Sequence, residues 1–151
     1  MFELSDFYHY CRTHEVDIIP FPRLPRPALT AREGGYYAVG LDPLQLTTTR
    51  KLRTAMMHES GHLRTGALHK LESPYQVVAQ AEHRANADAF AHYLPAAELQ
   101  AAMRAGYTEP WQLAEYFDLD EAYICQALDF WANCRGFDFN DPREEPTDAI
   151  V

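Results

Sequence analysis

An α+β fold is what this sequence predicts: a small antiparallel sheet packed on a mainly helical body. Three observations predict it. Two short runs rich in β-branched and aromatic residues, 16–19 and Tyr36–Leu41, lie in the first third of the chain. From about residue 47 to 134, segments of helical period follow one another, each bounded by capping residues or proline. At 151 residues the chain is long enough to bury a core without staples.

Taken in order, residues 3–15 read as a first helix, with Ser5 as a candidate N-cap and Phe7, Tyr10 and Cys11 near one face. The strand at 16–19 runs into a segment studded with prolines, 20–27, that can be neither regular helix nor a central strand and reads as a stiff surface loop. Gly34 and Gly35 mark a turn before the strand Tyr36–Leu41, and the long connection between the two runs leaves room for a further short strand. Thr47 or Thr48 then caps a helix to about Thr65, with Gly66 suited to the left-handed position after it. Ser73 and Pro74, as N-cap and first helical residue, open a helix that ends near Leu94. Pro95 starts the next, closed by Gly106. Thr108 and Pro110 open a fifth, and Asp118 or Asp120 caps a last one from about 121 to 134. One domain over 1–136 is expected, including a helical pair at 108–134, followed by an acidic tail at 137–151 too polar to pack.

The net charge of −9 disfavours binding to phosphate backbones or anionic membrane surfaces. No apolar run approaches the ~18 residues that cross a bilayer. The acidic N-terminus lacks a signal-peptide pattern, so a cytoplasmic address is expected. The three cysteines, Cys11, Cys125 and Cys134, form no CxxC pair. Cys125 and Cys134 fall in apolar helical surroundings and read as reduced core thiols.

The chemistry is concentrated at His58-Glu59-Ser60-Gly61-His62, an H-E-x-x-H pattern. On a helix, residues four apart stack one turn above each other, so both imidazoles can reach one ion. Glu59 is placed beside that ion, as a general base for an attacking water. Gly61 costs about 1 kcal/mol of helix stability relative to alanine, which is useful only where substrate or backbone must come close. A catalytic zinc needs a third protein ligand. Glu82 is the candidate, on the next helix with nineteen residues between it and His62, and in an alanine-rich window. Val78, Glu82, Ala85, Asn86 and Ala89 share one face of that helix, and its small residues allow close approach. Asp88 points away from it, placed to pair with Arg84. The spacing is similar to that of the thermolysin-like zincins, whose third ligand is a glutamate on a following helix. Asn86, one turn beyond Glu82, stands where those enzymes carry an acidic residue, and its carbonyl can orient a ligand histidine. As a further donor for the developing oxyanion, spacing selects none of His69, His83, Tyr75 and Tyr93.

With these motifs, joined by Tyr36–Leu41 with Asp42-Pro43, Thr65-Gly66, Ser73-Pro74, the E-x-x-A-N run from Glu82, Leu94-Pro95 and the stretch from Gly106 to Phe117, the chain resembles the ImmA/IrrE family of small bacterial and phage metallopeptidases. The resemblance covers everything but the tail. It implies a zinc-dependent endopeptidase with His58, His62 and Glu82 as ligands, Glu59 as base and Asn86 at the D/N position. It also implies regulated cleavage of a protein partner such as a helix-turn-helix repressor, often encoded beside it on a mobile element. The departure is the run 90–95, less aliphatic than the family's before the proline. Zincins bind extended peptide along a sheet edge, for which Tyr36–Leu41 is the candidate strand.

Two other functions fit the sequence less well. The run 111–128 has the cadence of a helix-turn-helix, but no lysine or arginine lies between Ala105 and Asn133, while six acidic residues do. It reads as a structural pair or a protein-docking element. A regulatory protein that binds zinc and acts by association alone is the second alternative, and Glu59 argues against it, since a structural zinc needs no base.

Overall fold

The computed structural model describes residues 1–70 and 72–142. The elements run α1 (Leu4–Thr13), β1 (Asp17–Pro20), β2 (Ala28–Glu33), β3 (Tyr36–Leu41), α2 (Thr49–Thr65), α3 (Tyr75–Tyr93), α4 (Ala96–Arg104), α5 (Pro110–Phe117) and α6 (Glu121–Asp129), with a π-helical turn at Phe130–Cys134. This is an α+β fold. The chain divides into two compact units, Met1–Ala89 and from Phe90 onward; the division falls inside α3.

The sheet has the order β1-β3-β2 and is mixed, not antiparallel throughout. Gly34 and Gly35, both at positive φ (57° and 86°), make the tight turn that joins β2 and β3 as a hairpin, with Glu33 opposite Tyr36. β2 is the strand for which the long connection left room, and it takes one flank of β3. β1 is therefore left with the other flank, where it pairs parallel, Asp17 opposite Ala38 through Pro20 opposite Leu41. Pro20 fits there because an edge strand tolerates a missing N–H. The consequence overturns one expectation: Tyr36–Leu41 is the central strand, and the edges are β1 and β2.

In the first unit, Phe2, Phe7, Val39, Met56 and Met57 are buried. Thr48 caps α2, its Oγ1 accepting from the Lys51 N–H at 3.1 Å, and Gly66 closes it in the left-handed conformation (φ 65°). The start of α3 differs from expectation. The Ser73 hydroxyl accepts from the Lys70 N–H rather than capping the helix, and the Pro74 carbonyl takes the first helical N–H groups, those of Val77 and Val78. Asp88 is also not paired as expected. Its Oδ2 accepts from Nε of Arg64 at 2.7 Å and forms an ion pair with the same guanidinium, tying α3 to α2.

In the second unit, Leu94, Leu99, Leu113, Phe117, Ile124 and Phe130 are buried, and the Phe90 ring packs against Tyr123 and Phe130. Asp118 (φ 53°) ends α5, and the side chain of Gln112 accepts from the N–H groups of Thr108 and Glu109 at its start. Asp120 caps α6. The expected tail is only partly tested. Residues 137–142 lie against the unit, with the Phe137 N–H donating to the Trp131 carbonyl and the Phe137 and Phe139 rings edge to face at 4.8 Å. The rest of it lies outside the described residues. The cysteines reverse the expectation. Cys11 is the buried one, and Cys125 and Cys134 are exposed, because they fall on the solvent side of helices whose other face carries the core. Among the described residues, no helix is long and apolar enough to cross a membrane.

Candidate metal centre

α2 and α3 approach so closely that a Cβ on Gly61 would stand 2.1 Å from the Ala85 carbonyl oxygen, well inside van der Waals contact. Ala81, Ala85 and Ala89 are buried along α3. Glycine on one helix and alanine on the other therefore set the spacing, and that spacing brings Glu82 to the two histidines.

The Nε2 atoms of His58 and His62 are 3.1 Å apart. Glu82 Oε2 is 2.8 Å from His58 Nε2, and Oε1 is 3.4 Å from His62 Nε2. The outer ring nitrogens fix the tautomers. His62 Nδ1 lies 2.6 Å from the Ala67 carbonyl, which only accepts, so it carries a proton. His58 Nδ1 lies 2.7 Å from Asn86 Oδ1 and donates in the same way. In that tautomer both Nε2 atoms present lone pairs toward a carboxylate, an arrangement that could hold a metal ion. A tetrahedral ion with bonds of about 2.0–2.1 Å separates its donor atoms by about 3.3 Å. The two imidazole nitrogens at 3.1 Å, and His58 Nε2 with Glu82 Oε2 at 2.8 Å, lie a little inside that value. Among the described residues, His58, His62 and Glu82 are the group able to hold a metal ion.

The titration behaviour fits this picture. Burial pushes the Glu82 carboxyl up, but its contacts with His58, His62 and Arg26 outweigh it and hold the group far below the usual carboxylate range. Burial alone would lower His62, yet its contact with Glu82, the charge of Glu59 and the Ala67 carbonyl raise it. A proton and a metal ion thus compete for the same place.

Glu59 is buried at 4% exposure, and its Oε2 accepts a short hydrogen bond from the Thr30 hydroxyl of β2. It lines a small cleft, partly open to solvent, together with Arg26, Leu29, Thr30, His62, Leu68, His69 and Glu82. The site residues read from sequence thus converge within one unit, with Asn86 one step outside the three donors. Three more were not anticipated in their roles. Thr30 holds Glu59; Arg26 Nη1 donates to Glu82 Oε1; and His69, considered only as an oxyanion donor, places Nε2 at 3.0 Å from the same oxygen. Arg26 and Thr30 carry no motif, and their contacts span 56 and 29 residues, so no local signal marks them. His83 and Tyr75 are exposed and do not line the cleft.

No family model, no curated protein and no solved structure matches this chain. The resemblance to the ImmA/IrrE family therefore rests on the motif residues alone.

Proposed function

We propose that this protein is a zinc-dependent endopeptidase that acts in the cytoplasm on a flexible segment of a partner, such as a helix-turn-helix repressor. The observation that carries the reading is the meeting of two imidazole lone pairs with one carboxylate, beside a second, buried carboxylate that is not one of the three donors. A structural metal site has no use for that second group. Zinc held by His58, His62 and Glu82 would supply a Lewis acid and an acidified water at its open position.

Glu59 is the general base. Thr30 occupies Oε2, so Oε1 is the oxygen that takes the proton of the attacking water and returns it to the leaving amine. Asn86 and the Ala67 carbonyl keep the two imidazoles in the tautomer that presents Nε2. β2, an edge strand with Leu29 and Thr30 on the cleft, replaces Tyr36–Leu41 as the strand along which extended peptide would lie.

The test is Glu59→Gln, co-expressed with the protein encoded by the adjacent gene. Zinc content should match wild type while cleavage falls about 10²–10⁴-fold, the usual worth of a general base. Equal cutting by both proteins would remove Glu59 from the reaction. Binding of the partner by both proteins with cleavage by neither would favour association without proteolysis.

A further inference from the structure

Glu82 has more partners than a metal ligand requires. Oε2 faces His58 Nε2 at 2.8 Å, whereas Oε1 accepts from Arg26 Nη1 and lies 3.0 Å from His69 Nε2. The His69 ring is also close to Arg26 Nη2, at 3.3 Å, and its Nδ1 is 3.2 Å from the Lys70 carbonyl. Of these neighbours the Glu82 carboxylate is the only charged acceptor and is the nearest, so His69 clamps it in the tautomer that carries its proton on Nε2 rather than on Nδ1. His62 Nε2, the remaining atom near Oε1, has no proton to give it, because its ring donates through Nδ1 to Ala67.

We propose that Arg26 and His69 are positioning residues that clamp Oε1 of Glu82, so that Oε2 is the one oxygen this glutamate offers a metal ion. The proposal rests on the metal-centre reading above and extends it to two residues outside the ligand set. An ionised carboxylate has about four lone-pair sites, two on each oxygen. An arginine and a histidine donor fill both sites on Oε1. A carboxylate free to turn would bind a metal through both oxygens and take two coordination positions. A clamped one takes a single position and leaves another open for substrate or water.

The fold supports the clamp from both sides. His69 is enclosed, its side chain only 6% exposed. Arg26 comes from the segment of prolines after β1, and that segment is anchored by buried Asp42. The Asp42 carboxylate accepts from the N–H groups of Leu24 and Leu44, and Gln45 Nε2 bridges Asp42 Oδ2 and the Leu24 carbonyl. The stiffness of these prolines thus delivers a guanidinium to a fixed point.

The experiment measures Zn²⁺ and Co²⁺ binding to wild type, Arg26→Gln, Arg26→Lys and His69→Ala, with folding checked by circular dichroism. Losing a partner of a metal ligand costs about 10- to 100-fold in affinity, expected here for Arg26→Gln and His69→Ala. Arg26→Lys keeps one donor and should fall between. The Co²⁺ form adds a readout that a merely structural role would not move. Release of Oε1 raises the coordination number, so the visible bands of the variants should weaken relative to wild type. Should Arg26→Gln fail to fold, Arg26→Lys and His69→Ala carry the test. Wild-type affinity and an unchanged Co²⁺ spectrum in the folded variants would overturn the clamp and leave the metal centre standing. Uptake of neither ion by wild type would overturn both.

Discussion

The two units differ most in what they bury. Among the described residues, the buried polar side chains of the first unit are Thr30, Asp42, Arg53, Glu59, Ser60 and His62, whereas the second buries Gln100. Both units have apolar cores of leucine, phenylalanine, methionine or alanine, so hydrophobic burial does not distinguish them. Burying a polar group costs free energy unless it is hydrogen-bonded, and a fold tolerates several only where they are paired or useful. In the first unit they are both. Arg53 donates to the Phe2 carbonyl, Ser60 to the Met57 carbonyl, and Thr30 to Glu59. The lesson is that chemistry is located by the density of satisfied buried polar groups rather than by the size of the core.

Removing the third ligand breaks the comparison most directly. Glu82→Ala should lower zinc affinity by more than the ~100-fold that loss of an outer partner costs, and activity should fall with it. Asp88→Ala is the control. It removes the charged hydrogen bond and ion pair with Arg64, a loss worth about 1–3 kcal/mol of folding stability, yet isothermal titration should find its zinc affinity close to wild type. Normal binding by Glu82→Ala would mean that another residue is the ligand.

Gly61→Ala tests whether helix spacing makes the site. The added methyl collides with the Ala85 backbone, which cannot step aside as a side chain would. The cost should reach or exceed the top of the ~1–3 kcal/mol usual for overpacking, read from urea unfolding, with weaker zinc binding in whatever remains folded. A variant as stable as wild type would show that α2 and α3 lie further apart than described.

The smallest effect on the metal is expected from Leu113→Ala in the second unit. Leu113 is fully buried, so the truncation should cost about 2–5 kcal/mol. Zinc affinity of the folded fraction should nevertheless be unchanged. A parallel fall in affinity would show that the two units do not divide the labour as their buried groups suggest.

How far the sequence could be read follows from the range of each contact. The helical pairing of His58 with His62, the Thr48 cap and the Gly66 stop are local, and their residues announce them within a few positions. Glu82 and Asn86 were legible because two consecutive helices have few ways to meet once glycine and alanine line the seam. The sheet was harder. β2 has little β-branched content (Ala28-Leu-Thr-Ala-Arg-Glu33), and its pairing decides that β3 is central and β1 parallel. Arg26 and Thr30 were illegible for the same reason: proline and strand segments reveal stiffness or extension, not which distant side chain they reach. Cys125 and Cys134 were misread because apolar neighbours in sequence do not say which side of a helix faces the core.

The long reach of those contacts also sets an order of events during synthesis. Arg26 meets Glu82 across 56 residues, Thr30 meets Glu59 across 29, and His58 meets Asn86 across 28. Closing such loops costs entropy before any contact rewards it, so pairings of this kind form late. A ribosome-bound chain that has just released α2 already displays His58 and His62, but neither the carboxylate nor the groups that orient the rings. It could hold an ion only weakly, by two imidazoles. Firm retention would wait for α3 and so for completion of the first unit.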